Sequence, residues 1–282
     1  MDGQIAIRLL DALEEFRACH EVQKAAWGFP DSLIIPYTQL VTFQHNGGAV
    51  LGAFDGPHLV GFVAGYLGRQ GQGPIYFFSQ RMGTLPAYQG RGIGEQLKWT
   101  QRTWALAQGL ERILWTYDPL EAPNAWLNLA KLGGIVHHYE RDIYGEHDTP
   151  LHDHLPTDRF LVEWELLSEG VLARLAPGWR APAAGTAIGE AGQPLNPVTW
   201  DERNLPHSAP PALLREEPRL VVEVPAEWQE LRQVDMTLAS DWRAKTRLLF
   251  EHYLAQGFAV TGYQSERDAG RRHNFYLLEK QV

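Results

Sequence analysis

Apolar positions along the first half of the chain change period several times, and each change predicts an element. Ile5–Leu9 reads as a short strand. Asp11 then stands as the cap of a helix running to about Ala26, with Leu13, Phe16 and Val22 on its buried side. Pro30 and Pro36 punctuate a loop, and a second helix occupies Tyr37–Gln44 before Asn46-Gly47-Gly48. Ala49–Phe54 turns through Asp55-Gly56-Pro57 into His58–Leu67, which predicts a hairpin. Ile75–Leu85 follows as a third strand. The period then lengthens: Ile93, Leu97, Trp104 and Ala107 recur on one side of a helix over Gly92–Gln108, stopped by Gly109. Arg112–Thr116 is a buried strand, Pro123 opens another helix ending at Gly133-Gly134, and Ile135–Tyr139 and Arg159–Leu166 are further strands.

The pattern breaks between about 176 and 218, where eight of the 18 prolines fall. Neither a regular helix nor a central strand runs through that density. It reads as a long connector with little regular structure that wraps the surface or serves a site. Beyond it, a second αβ unit is predicted: strand Arg219–Val224, helix Asp235–Gln256, and strands Phe258–Tyr263 and Asn274–Glu279. The expected division is therefore 1–170, connector 171–218, and C-terminal unit 219–282.

Composition narrows the function classes. The 282 residues carry a formal charge of −9, so the chain lacks the general footprint of a phosphate-backbone binder, and no nucleic-acid partner is expected. Cys19 is the only cysteine, which excludes an internal disulfide and any multi-cysteine zinc site and suits a reducing cytoplasm. No signal peptide or membrane span is evident. His147-Asp148, His152-Asp153-His154 and Asp158 show no ligand register, so no metal is expected.

The richest stretch is Thr84-Leu85-Pro86-Ala87-Tyr88-Gln89-Gly90-Arg91-Gly92-Ile93-Gly94. A strand ends, a glycine-rich turn follows and a helix begins. The turn's N–H groups and the helix dipole make a cradle for a diphosphate. A dinucleotide fingerprint fails here, because Glu95 and Leu97 stand where its third glycine would fall, and the Gly-Lys-Ser/Thr of a P-loop is absent.

What remains, Gln89-Gly90-Arg91-Gly92-Ile93-Gly94, resembles the pyrophosphate loop of the GNAT superfamily of N-acyltransferases. The Pro86-x-Tyr88 before it, the Lys131-Leu132-Gly133 that ends the next helix, and the order β-α-α-β-β-β-α-β-α-β agree with that resemblance, which covers about residues 1–170. Trp115–Leu120 and Asn124–Asn128 further resemble a bacterial GNAT subgroup with an extra C-terminal unit, some of whose relatives sit beside racemases of N-acylated amino acids.

The resemblance implies an α/β (α+β) fold with a mixed central sheet flanked by helices. It also implies acetyl-CoA or another acyl-CoA as co-substrate. Backbone groups of Met82, Gly83 and Thr84 would meet the pantetheine and polarise the thioester carbonyl. Amides from Gln89, Gly90, Arg91, Gly92, Ile93 and Gly94 would hold the pyrophosphate, and Asn124 would lie by the pantetheine arm. The expected reaction is acetyl or succinyl transfer to the amine of a small molecule, such as an amino acid, by direct attack in a ternary complex. A non-catalytic acyl-CoA-binding module and a protein N-acetyltransferase are the alternatives. One departure stands out: where many GNAT enzymes place an acidic tyrosine, this chain has Leu129.

Proton transfer must therefore come from elsewhere. Asp118 at a strand end, His137 and Tyr144 are the catalytic candidates, and Arg141 and Asn128 the candidates for holding substrate. Arg243 and Arg247, one turn apart, read mainly as partners for acids. Three readings of 219–282 stay open: a cover over the active site, a partial repeat of the GNAT fold, or a dimerisation element that would make a homodimer.

Overall fold

A computed structural model describes residues 4–145, 155–181 and 192–281. The histidine–aspartate run 147–154, which invited the metal question, lies outside them. The described chain falls into two units, one built mainly from residues up to Trp115 with Glu165–Leu167, the other from Thr116 onward. The division falls inside a strand, not at the proline-rich stretch.

In the first unit, strands β1 (Ala6–Leu9), β2 (Ala49–Asp55), β3 (His58–Arg69), β4 (Ile75–Thr84) and β5 (Arg112–Tyr117) lie side by side in that order. The pairs from β1 to β4 are antiparallel, and β4 pairs with β5 in parallel. Burial of both faces explains the continuous apolar runs in β2 and the middle of β3. Val50, Phe54, Phe62 and Ala64 pack with Phe16, Cys19 and Val22 of helix α1 (Leu13–Trp27) and Leu40 of α2 (Tyr37–His45). Leu51, Ala53 and Val63 pack instead with Ile93 and Leu97 of α3 (Ile93–Ala107). The α1 start differs in detail from the expected Asp11 cap. Ala12 is the N-cap, and the Glu15 carboxylate accepts the N–H of Asp11 at 2.9 Å.

In the second unit the strand order is β7-β6-β11-β12-β10. These are β6 (Ile135–Glu140), β7 (Arg159–Glu165), β10 (Arg219–Val224), β11 (Phe258–Asp268) and β12 (Arg271–Lys280), all paired antiparallel. Short helix α4 (Ala122–Ala125) widens into a π-helical turn over Trp126–Lys131. Helices α5 (Glu169–Arg174), α6 (Trp228–Val234) and α7 (Met236–Ala255) complete it. Asp235 caps α7 by accepting the Leu238 N–H at 3.0 Å.

The described part of the proline-rich stretch after residue 191 is more ordered than its composition implies. Strands β8 (Val198–Trp200) and β9 (Pro206–Ser208) pair within it. Fully buried Asn196 exchanges two hydrogen bonds with the Glu223 backbone at 2.9 Å each, and the Leu195 N–H donates to Val221 O. One amide side chain thus supplies the ladder contacts that prolines cannot make. No helix among the described residues is long and apolar enough to cross a membrane.

Candidate functional site

The first unit presents the glycine turn and the end of the β4–β5 pairing. Gly90 and Gly92 hold φ of 75° and 76°, the left-handed region that favours glycine, and Gly92 is the N-cap of α3. A Cβ at either would meet nothing within 4 Å, so the backbone conformation alone sets the residue type. Among the described residues, no backbone carbonyl accepts from the amides of Gly90, Arg91, Gly92, Ile93 or Gly94. The Gln89 amide differs: it donates to Pro86 O at 3.2 Å, so its N–H is already engaged. The Tyr88 hydroxyl fixes the turn by donating to Asp55 at 2.8 Å, and the Arg91 guanidinium lies 4.8 Å over the Tyr88 ring.

Strand β4 carries a bulge between Ser79 and Arg81, where its register on β3 slips by one residue. Its pairing with β5 covers Phe77–Ile113 and Phe78–Leu114. Past Phe78 the edge of β4 that faced β5 has no strand partner among the described residues, and Met82, Gly83 and Thr84 lie along that continuation. Met82 packs into the α3-side core. Gly83 is buried, and a Cβ there would stand 2.6 Å from the Trp27 ring, so the strand has no room for a side chain at this point.

Lys98 sits where β4 and β5 stop pairing, and the hydrophobic periodicity does not single it out. Its side chain is buried, Nζ donates to Ser79 Oγ at 3.1 Å and Gln101 Oε1 at 3.0 Å, and it lies 3.6 Å over the Trp115 ring. Burial pushes the ammonium well below the ordinary lysine range. The signal was present in the spacing, since Lys98 follows Gly94 by four residues and precedes Gln101 by three, on a face that the glycine turn leads inward.

The second unit holds the polar candidates. The Asp118 carboxylate accepts from the Leu120 N–H at 2.9 Å and from Arg243 Nη2 at 2.5 Å, with Arg159 at 3.9 Å. Burial alone would raise its pKa, but Arg243 and then Arg159 outweigh that and hold it below the usual carboxylate range. The Tyr144 hydroxyl shares a hydrogen bond with Thr116 at 3.0 Å, and Arg159 lies over its ring. Asp118 and Tyr144 therefore meet at Arg159. His137 and Arg141 lie apart from this group. His137 Nδ1 is 3.0 Å from Glu163, and Arg141 makes a two-pronged pair with Glu251 while staying exposed. Asn124 is exposed at the start of α4, whereas Asn128 and Leu129 are buried in the π-helical turn.

Sequence reasoning missed Glu121, and weighed Asp158 only as a metal ligand. Glu121 accepts from Gln229 Nε2, and burial followed by the nearby Asp118 charge pushes its pKa up to about 7. Asp158 is fully buried, held by Arg247 through two hydrogen bonds of 2.8 Å and by the Tyr139 hydroxyl at 2.6 Å. Its partners come from β6 and α7, far away in the chain, which sequence spacing does not reveal.

With this geometry in place, residues 9–133 match the family described as the acetyltransferase (GNAT) family. That stretch is a GNAT acetyltransferase domain, and the protein is an acyl-group transferase. No curated protein matches the chain. The solved structures to which the chain is similar are distant. The ribosomal-protein-S18-alanine N-acetyltransferase from Escherichia coli is 15% identical with a TM-score of 0.45, the match covering 58% of this chain and 94% of that one. The structure of Arabidopsis thaliana NAA60 in complex with acetyl-CoA is 13% identical with a TM-score of 0.44, covering 57% and 99%. An aminoglycoside acetyltransferase from an uncultured soil metagenomic sample, in complex with sisomicin, is 18% identical with a TM-score of 0.38, covering 42% and 80%.

Proposed function

We propose that the protein transfers an acetyl or succinyl group from coenzyme A to the amine of a small molecule, by direct attack within a ternary complex. The observation that carries this reading is the row of unengaged amides over Gly90–Gly94, set by two left-handed glycines at the start of α3 within an acetyltransferase domain. Such a row suits a pyrophosphate, because the donors converge and the helix dipole adds partial positive charge. Arg91, exposed beside it over the Tyr88 ring, adds a cation. The open edge of β4 past Phe78 suits an extended pantetheine arm running along Met82–Thr84, whose backbone donors would stabilise the oxyanion.

The attacking amine must shed a proton as the new C–N bond forms and the thiolate leaves. Asp118 is a poor acceptor, since its ion pair keeps it a weak base. Glu121, with its pKa near 7, is the carboxylate whose basicity suits neutral pH. Leu129, fully buried, supplies no acid, so departure of coenzyme A relies on the low basicity of the thiolate itself and on positioning, worth on the order of 7–11 kcal/mol at best. We place the reaction in the cytoplasm because a chain with one cysteine carries no internal disulfide framework of the kind secreted proteins use.

Calorimetric titration with acetyl-CoA and succinyl-CoA tests the cofactor part, and release of free thiol with a panel of amines tests the transfer. Binding of neither thioester overturns the reading. Binding without thiol release on any amine reduces the protein to a carrier of acyl-CoA. Transfer to peptides but not to free amines would make it a protein N-acetyltransferase.

A further inference from the structure

We propose that the second unit contains a carboxylate-binding subsite formed by Arg243 and Trp228. The Arg243 side chain is 4% exposed and spends Nη2 on Asp118, while its Nε and Nη1 have no hydrogen-bond partner among the described residues. Trp228, 3% exposed, likewise leaves its indole Nε1 without an acceptor. The two groups are neighbours, with the guanidinium carbon 5.3 Å from the Trp228 ring centroid. Buried N–H groups left unmade are rare in native proteins, and three in one place mark a position where an acceptor belongs.

Charge selects the kind of acceptor. Asp118 is shared between Arg243 and Arg159, and the nearby Asp158 is paired with Arg247, so these groups carry three positive and two negative charges before Glu121 ionises. An anion is favoured over a neutral carbonyl. A dianionic phosphate is disfavoured, because it would sit beside the carboxylates of Asp118 and Glu121 in a place with little water. A monoanionic carboxylate matches both the charge and the number of donors.

Such a carboxylate has two sources, and assigning it to either rests on the acyltransferase reading. It belongs to the acceptor amine or to the far end of a dicarboxylic acyl group such as succinyl.

The subsite itself is tested without catalysis. The full chain is titrated with acetate, and separately with acetamide, at constant ionic strength, and the thermal midpoint is followed. Acetate should raise the midpoint and acetamide should not. Trp228→Phe, which keeps the packing and removes one N–H, should weaken the acetate effect about 10-fold, and Arg243→Lys should abolish it. Equal response to acetate and acetamide, or an unchanged response in Trp228→Phe, overturns the proposal.

The source is read from steady-state kinetics with matched amines, with and without a carboxylate, on acetyl-CoA and on succinyl-CoA. A rise in KM of Trp228→Phe confined to the carboxylate-bearing amine assigns the acceptor, and one confined to succinyl-CoA assigns the acyl group. A rise shared by carboxylate-free substrates overturns both assignments. Absence of any transfer defeats the acyltransferase reading, while the acetate titration still decides the subsite.

Discussion

Asp118 and Arg243 lie 125 positions apart in sequence, yet their side chains meet at 2.5 Å inside the second unit. The contact changes what Asp118 can do. A carboxylate at a strand end reads as a base, but one held by a buried guanidinium is a structural anion.

Asp118→Asn should therefore cost stability first. Removing one partner of a buried pair leaves the other charge uncompensated, which costs about 3–5 kcal/mol. Urea unfolding should show that loss. Arg243→Met should lose a similar amount, and the double variant should lose clearly less than the two together. Additive losses would mean that the pair does not interact.

Lys98 should give the protein a stability that rises with pH. Burial holds its folded-state pKa well below the ordinary lysine value of 10.5. Between those two values the unfolded chain binds more protons than the folded one, so unfolding free energy increases as pH climbs and levels off near pH 10.5. Lys98→Met should remove that slope and should be as stable as the parent, or more so, at neutral pH. Chemical denaturation of both proteins at a series of alkaline pH values measures this. Parallel curves would show that Lys98 is not depressed.

Glu121 should act in the opposite sense. Its folded value near 7 exceeds the ordinary 4.5, so the folded state holds the proton longer and stability falls as pH rises across that window. Glu121→Gln should abolish the fall. In the transfer reaction the parent rate should climb through pH 7 and the variant should lose that limb. An unchanged pH profile in the variant would assign the proton to another acceptor.

Gly92→Val places a branched side chain at φ 76°. Left-handed backbone costs such a residue roughly 1–2 kcal/mol, and the turn should shift to relieve it. Calorimetry should then show acetyl-CoA affinity reduced at least about 10-fold, the equivalent of about 1.4 kcal/mol. Retained affinity would place the thioester away from this turn.

Much of the first unit is legible in the sequence because its signals are local. Continuous apolar runs mark β2 and β3, Asp55-Gly56 marks their turn, and the 3.6-residue period marks α3. The glycine turn is legible for the same reason, since φ near 75° leaves glycine as the ready choice. The proline-rich stretch was read as an irregular connector because proline removes backbone donors. Asn196, a side chain, restores the missing bonds to β10, and no periodicity records that.

By itself, then, the sequence determined the order of elements through β6, the glycine turn at the start of α3, and the absence of an acidic tyrosine at Leu129. Each depends on residues within one or two turns of one another. Only the tertiary structure decided which carboxylates are free to act. Asp118 was silenced by Arg243, Glu121 was raised by burial beside Asp118, and Lys98 was enclosed between Ser79 and Trp115. The physical reason is that a group's charge state depends on its solvent exposure and its nearest charges, and distant parts of the chain supply both.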